Sequence, residues 1–225
     1  MSGPSPTESG NARSALLLGA TGLVGSECLR LLMADDSFSR VVVASRRKLD
    51  DASSSPKLES HMIDLDRLAF MPELFVVTHI FCALGTTVRQ TPSRDVYRKI
   101  DFDYLVSAAK LGFNNGATHF LVVSAVGANA RSPIFYNRLK GEMEDAVTAV
   151  PYRSMTIARP SVLVGDRPGP RLSEKIAWKL AFITPRSYKP VKGTTVARAL
   201  INCARADEPG LRVIPNRDIE RIARG

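Results

Sequence analysis

The chain has 225 residues, 44% hydrophobic and 24% charged, and its 31 Lys+Arg against 22 Asp+Glu give a formal net charge of +9. At roughly 100–200 residues per domain this is one large domain or one and a half, and the composition excludes wholesale disorder and fibrous repeats. Three cysteines without a CxxC or Cys/His cluster argue against a disulfide framework and against a zinc site, and no apolar run approaches the roughly 18 residues that span a bilayer.

Residues 1–14 are rich in Ser, Gly and Pro and are expected to form a tail. They lack the basic and apolar regions of a signal peptide, which together with the cysteine usage leads to an expected cytoplasmic location. Short apolar runs predict strands at Ser14–Leu18, Arg40–Ala44, His61–Ile63, Thr78–Ala83, Thr118–Ser124 and Ser154–Ala158. Apolar residues at three- and four-residue spacing predict helices at Leu23–Ala34, Ser93–Leu111, Pro133–Ala149 and Thr195–Ala206. Beyond Pro160 the pattern loosens. Asp166–Pro170 reads as a turn, Leu172–Ala181 as a short helix, the stretch through Pro185 and Pro190 as a loop, and Leu211–Gly225 as a short strand and a terminal helix. Strands alternating with helices imply βαβ units, hence an α/β fold with a doubly wound parallel sheet over residues 15–225. Residues 161–225 would form its small substrate-side part.

The first strand runs into Gly19-Ala20-Thr21-Gly22-Leu23-Val24-Gly25 and then a helix. Glycines in a strand–turn–helix context let backbone N–H groups approach a pyrophosphate, and the helix N-terminus adds its positive end. The second strand ends in Ser45-Arg46-Arg47-Lys48. An acidic residue near this point would bind a ribose 2′-hydroxyl; Arg46, with Ser45 or Arg47, instead suits a 2′-phosphate and points to NADP(H) over NAD(H). Asp64 could accept from an adenine amino group. Ala83-Leu84-Gly85 are small enough for a cofactor to pass over the sheet edge.

Ser124 closes the fifth strand, and Tyr136 and Lys140 follow four residues apart on one helical face. A nearby ammonium lowers a tyrosine pKa toward acid–base use, and Ser124 could hold a substrate oxygen beside the phenol. His61, His79 and His119 open strands and read as scaffold; no metal site is expected.

This order of glycine turn, serine and YxxxK resembles the short-chain dehydrogenase/reductase superfamily. The closer likeness is to its atypical, Tat-interacting-protein-like NADP-binding members. It is carried by Ala83–Thr87, Arg98–Tyr104, His119–Ser124 with Gly127-Ala128, Tyr136–Glu142 and Ala158–Leu163, in order from about residue 15 to residue 165. The resemblance implies a single Rossmann domain binding NADP(H). It places Gly19, Thr21, Gly22, Leu23, Val24 and Gly25 on the pyrophosphate, Arg46 on the 2′-phosphate and Asp64 on adenine. Ala83, Leu84 and Gly85 would line the adenosine ribose side, Lys140 would hold the nicotinamide ribose, and Pro160 through Leu163, Val162 included, would meet the carboxamide. Tyr136 would be the proton donor or acceptor and Ser124 its partner. Many relatives carry an Asn on the helix before the fifth strand; here the stretch reads Ile100-Asp101-Phe102-Asp103. That leaves a relay through Asp101 open, and some members of the group are regulators that bind partners.

Residues 167–198 hold eight Lys or Arg against Glu174 alone, or +7 of the formal +9. The segment can be a plain solvated surface, a lure for an anionic small-molecule substrate, or a patch for a protein partner. Few aromatics for base stacking and no binding motif argue against nucleic acid. The expected function is an NADP(H)-dependent oxidoreductase moving a hydride to or from a small carbonyl or alcohol. The alternative is an NADPH-binding regulator with little turnover; monomer and homodimer both stay open.

Overall fold

Alternation along the central strands builds the core. In β1 (Arg13–Leu18), Ala15 and Leu17 face one side of a sheet while Leu16 and Leu18 face the other. In β2 (Phe38–Ser45), Val41 and Val43 share the first side and Val42 and Ala44 the second. Both faces are therefore covered, which is why these strands read as unbroken apolar runs. The computed structural model describes residues 12–49, 55–86, 93–165 and 188–225.

The other strands are β3 (Leu58–Met62), β4 (His79–Cys82), β5 (His119–Val123), β6 (Ser154–Arg159), β7 (Leu163–Val164), β8 (Val191–Lys192) and β9 (Gly210–Pro215). Seven of them form one parallel sheet in the order β3-β2-β1-β4-β5-β6-β9, and β7 pairs with β8 in a small second one. The helices are α1 (Leu23–Met33), α2 (Arg94–Arg98), α3 (Tyr104–Asn114), α4 (Phe135–Thr148), α5 (Gly193–Ala206) and α6 (Asn216–Arg224). Side chains of α1, α5 and α6, such as Cys28, Leu32, Leu200 and Ile219, pack on one face; those of α3 and α4, such as Leu105, Ala108, Met143 and Val147, pack on the other. This is the expected doubly wound α/β fold.

The strand order reverses between β1 and β4. Open α/β sheets bind ligands at such a switch point, beyond the carboxyl ends of the strands. Here Gly19 leaves β1 beside Ala83 leaving β4, and the Ala83 N–H donates to the Leu18 carbonyl at 2.9 Å.

Three local differences from the sequence reading stand out. The third strand lies at Leu58–Met62, a few residues earlier than its hydropathy suggests, because it pairs with Val41–Ser45 of β2. The single helix expected at Ser93–Leu111 is interrupted by a π-helical turn, Lys99–Asp103, between α2 and α3. The first strand starts at Arg13, inside the expected tail. The rest of that tail (residues 1–11), the Asp166–Pro170 turn, the Leu172–Ala181 helix and Pro185 lie outside the described residues.

Candidate functional site

The turn after β1 is shaped by contacts that exclude side chains. Gly19 has φ +88°, and a Cβ there would sit 2.5 Å from the Ala83 carbonyl oxygen. A Cβ on Gly25 would lie 2.0 Å from the Gly19 carbonyl oxygen, so Gly25 lets α1 pack beneath the turn. Gly22 is the N-cap of α1, no side chain caps it, and the first turn holds no acidic residue. The helix thus presents free backbone N–H groups and its positive end, with no internal anion in competition.

That turn forms one wall of a cleft of about 510 Å³. Of the residues singled out from the sequence, Gly19, Thr21, Gly22, Leu23, Val24, Ser45, Arg46, Arg47, Ala83, Leu84, Gly85, Ser124, Tyr136, Lys140, Pro160, Val162 and Leu163 all line it. Two do not. Gly25 sits under the turn. Asp64 caps the 3-10 turn Leu65–Phe70, its Oδ1 accepting from the Asp66 N–H at 3.0 Å. Leu65 and Asp101 line the cleft without having been singled out as binding residues, and Ser161 lines it within the Pro160–Leu163 stretch that was.

Arg46 and Arg47 are exposed at the end of β2. Arg47 donates to the Thr21 hydroxyl at 3.3 Å, while Arg46 pairs with no acidic side chain among the described residues. The Ser45 hydroxyl donates to the Arg47 carbonyl at 2.5 Å and holds the basic turn in place. On the far side, the Ser161 N–H donates to Asn216 Oδ1 at 2.9 Å, and Asn216 Nδ2 donates to the Lys189 carbonyl at 2.9 Å. This ties the Pro160–Leu163 wall to the C-terminal part of the chain.

The π turn brings Asp101 inward, where it is 1% exposed. Lys140 Nζ lies 2.8 Å from Asp101 Oδ1, and the Thr86 N–H donates to Asp101 Oδ2 at 2.9 Å. The ammonium of Lys140 is therefore buried against a carboxylate, and this changes the expected effect on Tyr136. Burial pushes its phenol up, Lys140 pulls it down, Asp101 pushes it up, and the net shift is upward from the usual tyrosine range. The lowered pKa inferred from the YxxxK spacing alone is corrected chiefly by burial of the phenol, with Asp101, the partner of Lys140, adding to it.

Ser124 has its own partner. Its hydroxyl donates to Glu144 Oε1, and Glu144 also accepts from Arg159 Nε at 3.0 Å. Glu144 stands four residues beyond Lys140 and eight beyond Tyr136 on α4, so the helical repeat that picks out the first pair could have found it. Tyr97 packs edge-on to Tyr136 with ring centroids 6.3 Å apart, and its buried hydroxyl has no hydrogen-bond partner among the described residues. The three cysteines are buried and unpaired, and burial pushes Cys28 and Cys82 up to about 12, so neither is poised as a nucleophile.

Comparison with known proteins gives the family. The chain is 31% identical to Protein HTATIP2 of Rattus norvegicus over 195 residues, covering 84% of this chain and 80% of that protein. The chain belongs to the Tat-interacting-protein-like group of atypical short-chain dehydrogenase/reductases. A fungal member, Protein FMP52-1, mitochondrial, of Scheffersomyces stipitis, is 30% identical over 225 residues, covering 93% of this chain and 98% of that protein. No protein-family model matches the chain.

Solved structures agree with this group at the level of the Rossmann fold. MoeE5 in complex with UDP-glucose and NAD superposes with a TM-score of 0.69 at 17% identity, covering 89% of this chain and 74% of that one. UDP-glucuronic acid 4-epimerase from Bacillus cereus, in complex with UDP-glucuronic acid and NAD, gives 0.69 at 14%, covering 90% and 77%. The family also corrects the expected location. FMP52 proteins of several fungi are named mitochondrial, so cysteine usage and N-terminal composition misled on the compartment. Among the described residues no helix is long and apolar enough to cross a membrane.

Proposed function

We propose that this chain is an NADP(H)-dependent oxidoreductase that reduces a small carbonyl compound. The observation that supports the reading is the company kept in one cleft: a side-chain-free anion cradle, exposed arginines after β2, and Ser124, Tyr136 and Lys140. The cradle fits a dinucleotide because a Cβ at Gly19 would clash with the backbone that forms it. Gly19 to Val24 and the α1 N-terminus would hold the pyrophosphate, and Arg46, with Ser45 and Arg47, the 2′-phosphate. Ala83 to Gly85 would take the adenosine side, Lys140 the nicotinamide ribose, and Pro160, Val162 and Leu163 the carboxamide. When bound, the nicotinamide supplies the hydride.

The chain's own groups then handle the proton. Tyr136 is a phenol at neutral pH and would donate its proton to the substrate oxygen in reduction, and take it back in the reverse reaction. Ser124 donates its proton to Glu144, so toward a hydroxyl in the cleft, such as that of the alcohol product, it would act as an acceptor. Asp101 fixes Lys140 and balances its charge. The test is NADPH oxidation over a panel of small aldehydes and ketones. Tyr136→Phe is expected to lower turnover by roughly 10²–10⁴-fold, the usual worth of a general acid, with NADPH affinity retained. Unchanged turnover would remove Tyr136 from the chemistry.

One observation favours the second reading, a cofactor-bound interaction protein with little turnover: Asp101 offsets the charge that Lys140 brings to the phenol. NADPH binding with no activity across the whole panel would select it. The segment that would carry a protein partner or attract an anion, 167–198, lies mostly outside the described residues.

A further inference from the structure

Two of the chain's three histidines meet at the opposite end of the sheet from the cleft. His79 opens β4 and His119 opens β5, in register with each other. Asp207 follows α5, and its carboxylate reaches both: Oδ1 lies 2.9 Å from His119 Nδ1 and 3.7 Å from His79 Nε2. We propose that His79, His119 and Asp207 form a binding site for a late first-row divalent cation of the zinc class.

The hydrogen-bond pattern supports this through the tautomer of His79. The Thr78 hydroxyl donates to the Ser14 carbonyl at 2.8 Å, so toward His79 Nδ1, 2.8 Å away, it can only accept. Nδ1 therefore carries the ring proton and Nε2 carries a lone pair. His79 is 2% exposed, and its Nε2 has no hydrogen-bond partner among the described residues. A buried acceptor aimed at a second imidazole and a carboxylate is what a cation needs.

The surroundings match the way metal ligands are usually braced. A ligating histidine has its second nitrogen hydrogen-bonded. His79 meets this through Thr78, and His119 meets it through the Thr156 hydroxyl, 3.0 Å from Nε2. With an ion on Nδ1, His119 would move its proton to Nε2 and donate to Thr156. Arg153 holds Asp207 Oδ2 at 2.8 Å, which leaves Oδ1 as the ligand atom. The three ligand atoms lie within 4.8 Å of one another. Tetrahedral zinc, with bonds of about 2.0–2.1 Å, wants them about 3.3 Å apart. Rotation of the rings and of the loop-borne carboxylate closes the difference. An open fourth position would face the adjoining cavity of about 670 Å³, lined by Arg13, Asp36, Thr78 and Thr118. A cation there would clamp the starts of β4 and β5 to the α5–β9 turn.

The test uses the full chain without an affinity tag, stripped with chelator and titrated with Zn²⁺ by calorimetry and with Co²⁺ by visible absorption. One equivalent of Zn²⁺, a rise in Tm, and intense tetrahedral Co²⁺ bands are expected. Asp207→Asn should weaken binding tenfold or more. Asn suits the left-handed backbone of this residue, φ 44°, so the turn survives, and retained NADPH binding verifies the fold. Thr156→Val, which leaves the three ligands in place, should weaken it less. Binding below one equivalent, a Co²⁺ spectrum typical of the aqueous ion, or an Asp207→Asn protein that binds as tightly as wild type would each overturn the site.

Discussion

Replacing Asp101 with Asn changes one charge at nearly constant volume. The Asn side-chain oxygen can still accept the Thr86 N–H, but Lys140 loses its counter-charge in a site where the pair is 4% and 1% exposed. Removing one partner of a buried ion pair costs about 3–5 kcal/mol, because the remaining charge is stranded. For a chain of this size each kcal/mol moves Tm by about 2–4 °C, so a fall of roughly 6–20 °C is expected. Urea titration gives the free energy, and a thermal melt gives the shift. The same change removes one of the two influences that push the Tyr136 phenol upward, leaving burial alone against the pull of Lys140. A general acid loses activity as pH rises through its pKa, so the basic limb of the NADPH-oxidation profile should move to lower pH in Asp101→Asn. A stability loss below about 1 kcal/mol, or a basic limb that stays put, would refute the reasoning that Asp101 neutralises Lys140.

Gly19→Ala should cost about 1–3 kcal/mol of backbone strain and abolish NADPH binding, since the position has φ +88° and its Cβ would meet the Ala83 carbonyl; urea titration and cofactor fluorescence check both. Tyr97→Phe should be neutral or stabilising by up to about 1 kcal/mol, because the hydroxyl it removes is buried without a partner among the described residues; a loss larger than that in urea titration would mean the hydroxyl is satisfied. Arg205→Ala should cost about 1 kcal/mol near pH 7, discounted for the half-exposed arginine, by breaking the 2.8 Å pair with Asp35 that joins the ends of α1 and α5. Burial pushes Asp35 up, but Arg205 and Ser37 outweigh it and hold its carboxyl below the usual range. That contribution is therefore present above the unfolded value of about 3.9 and is lost as pH falls through the lower folded pKa. The gap between wild type and Arg205→Ala in urea titrations should close at low pH.

The sheet was legible because its strands obey a simple physical rule. Strands covered on both faces have no polar side, so runs such as Val41–Ala44 stand out, and the glycines between β1 and α1 mark where backbone must approach backbone. Part of the cleft's lining followed from the same logic, since open sheets place ligand sites at strand ends, while Pro160, Val162 and Leu163 came only from the family resemblance. What sequence could not give is pairing across distance. Lys140 and Tyr136 are visible as an i, i+4 pair, but Asp101 reaches Lys140 only through a π turn, whose apolar pattern is that of an α-helix. His79, His119 and Asp207 come from two strand starts and a turn, so no spacing announces them. β7 and β8, two residues each, are too short to carry a period. Composition speaks to redox chemistry, not to a cellular address, and on that point the mitochondrial names of the fungal relatives replaced the expectation.

The most direct measurement is titration of the purified chain with NADPH and with NADH, followed by cofactor fluorescence, for wild type and Arg46→Ala. A guanidinium–phosphate contact is worth about 1.5–3 kcal/mol, so wild type should bind NADPH roughly 10- to 150-fold more tightly than NADH. Arg46→Ala should erase most of that preference while leaving NADH binding unchanged. Equal affinities in wild type, or a preference that survives in Arg46→Ala, would contradict the assignment of the basic turn to a 2′-phosphate.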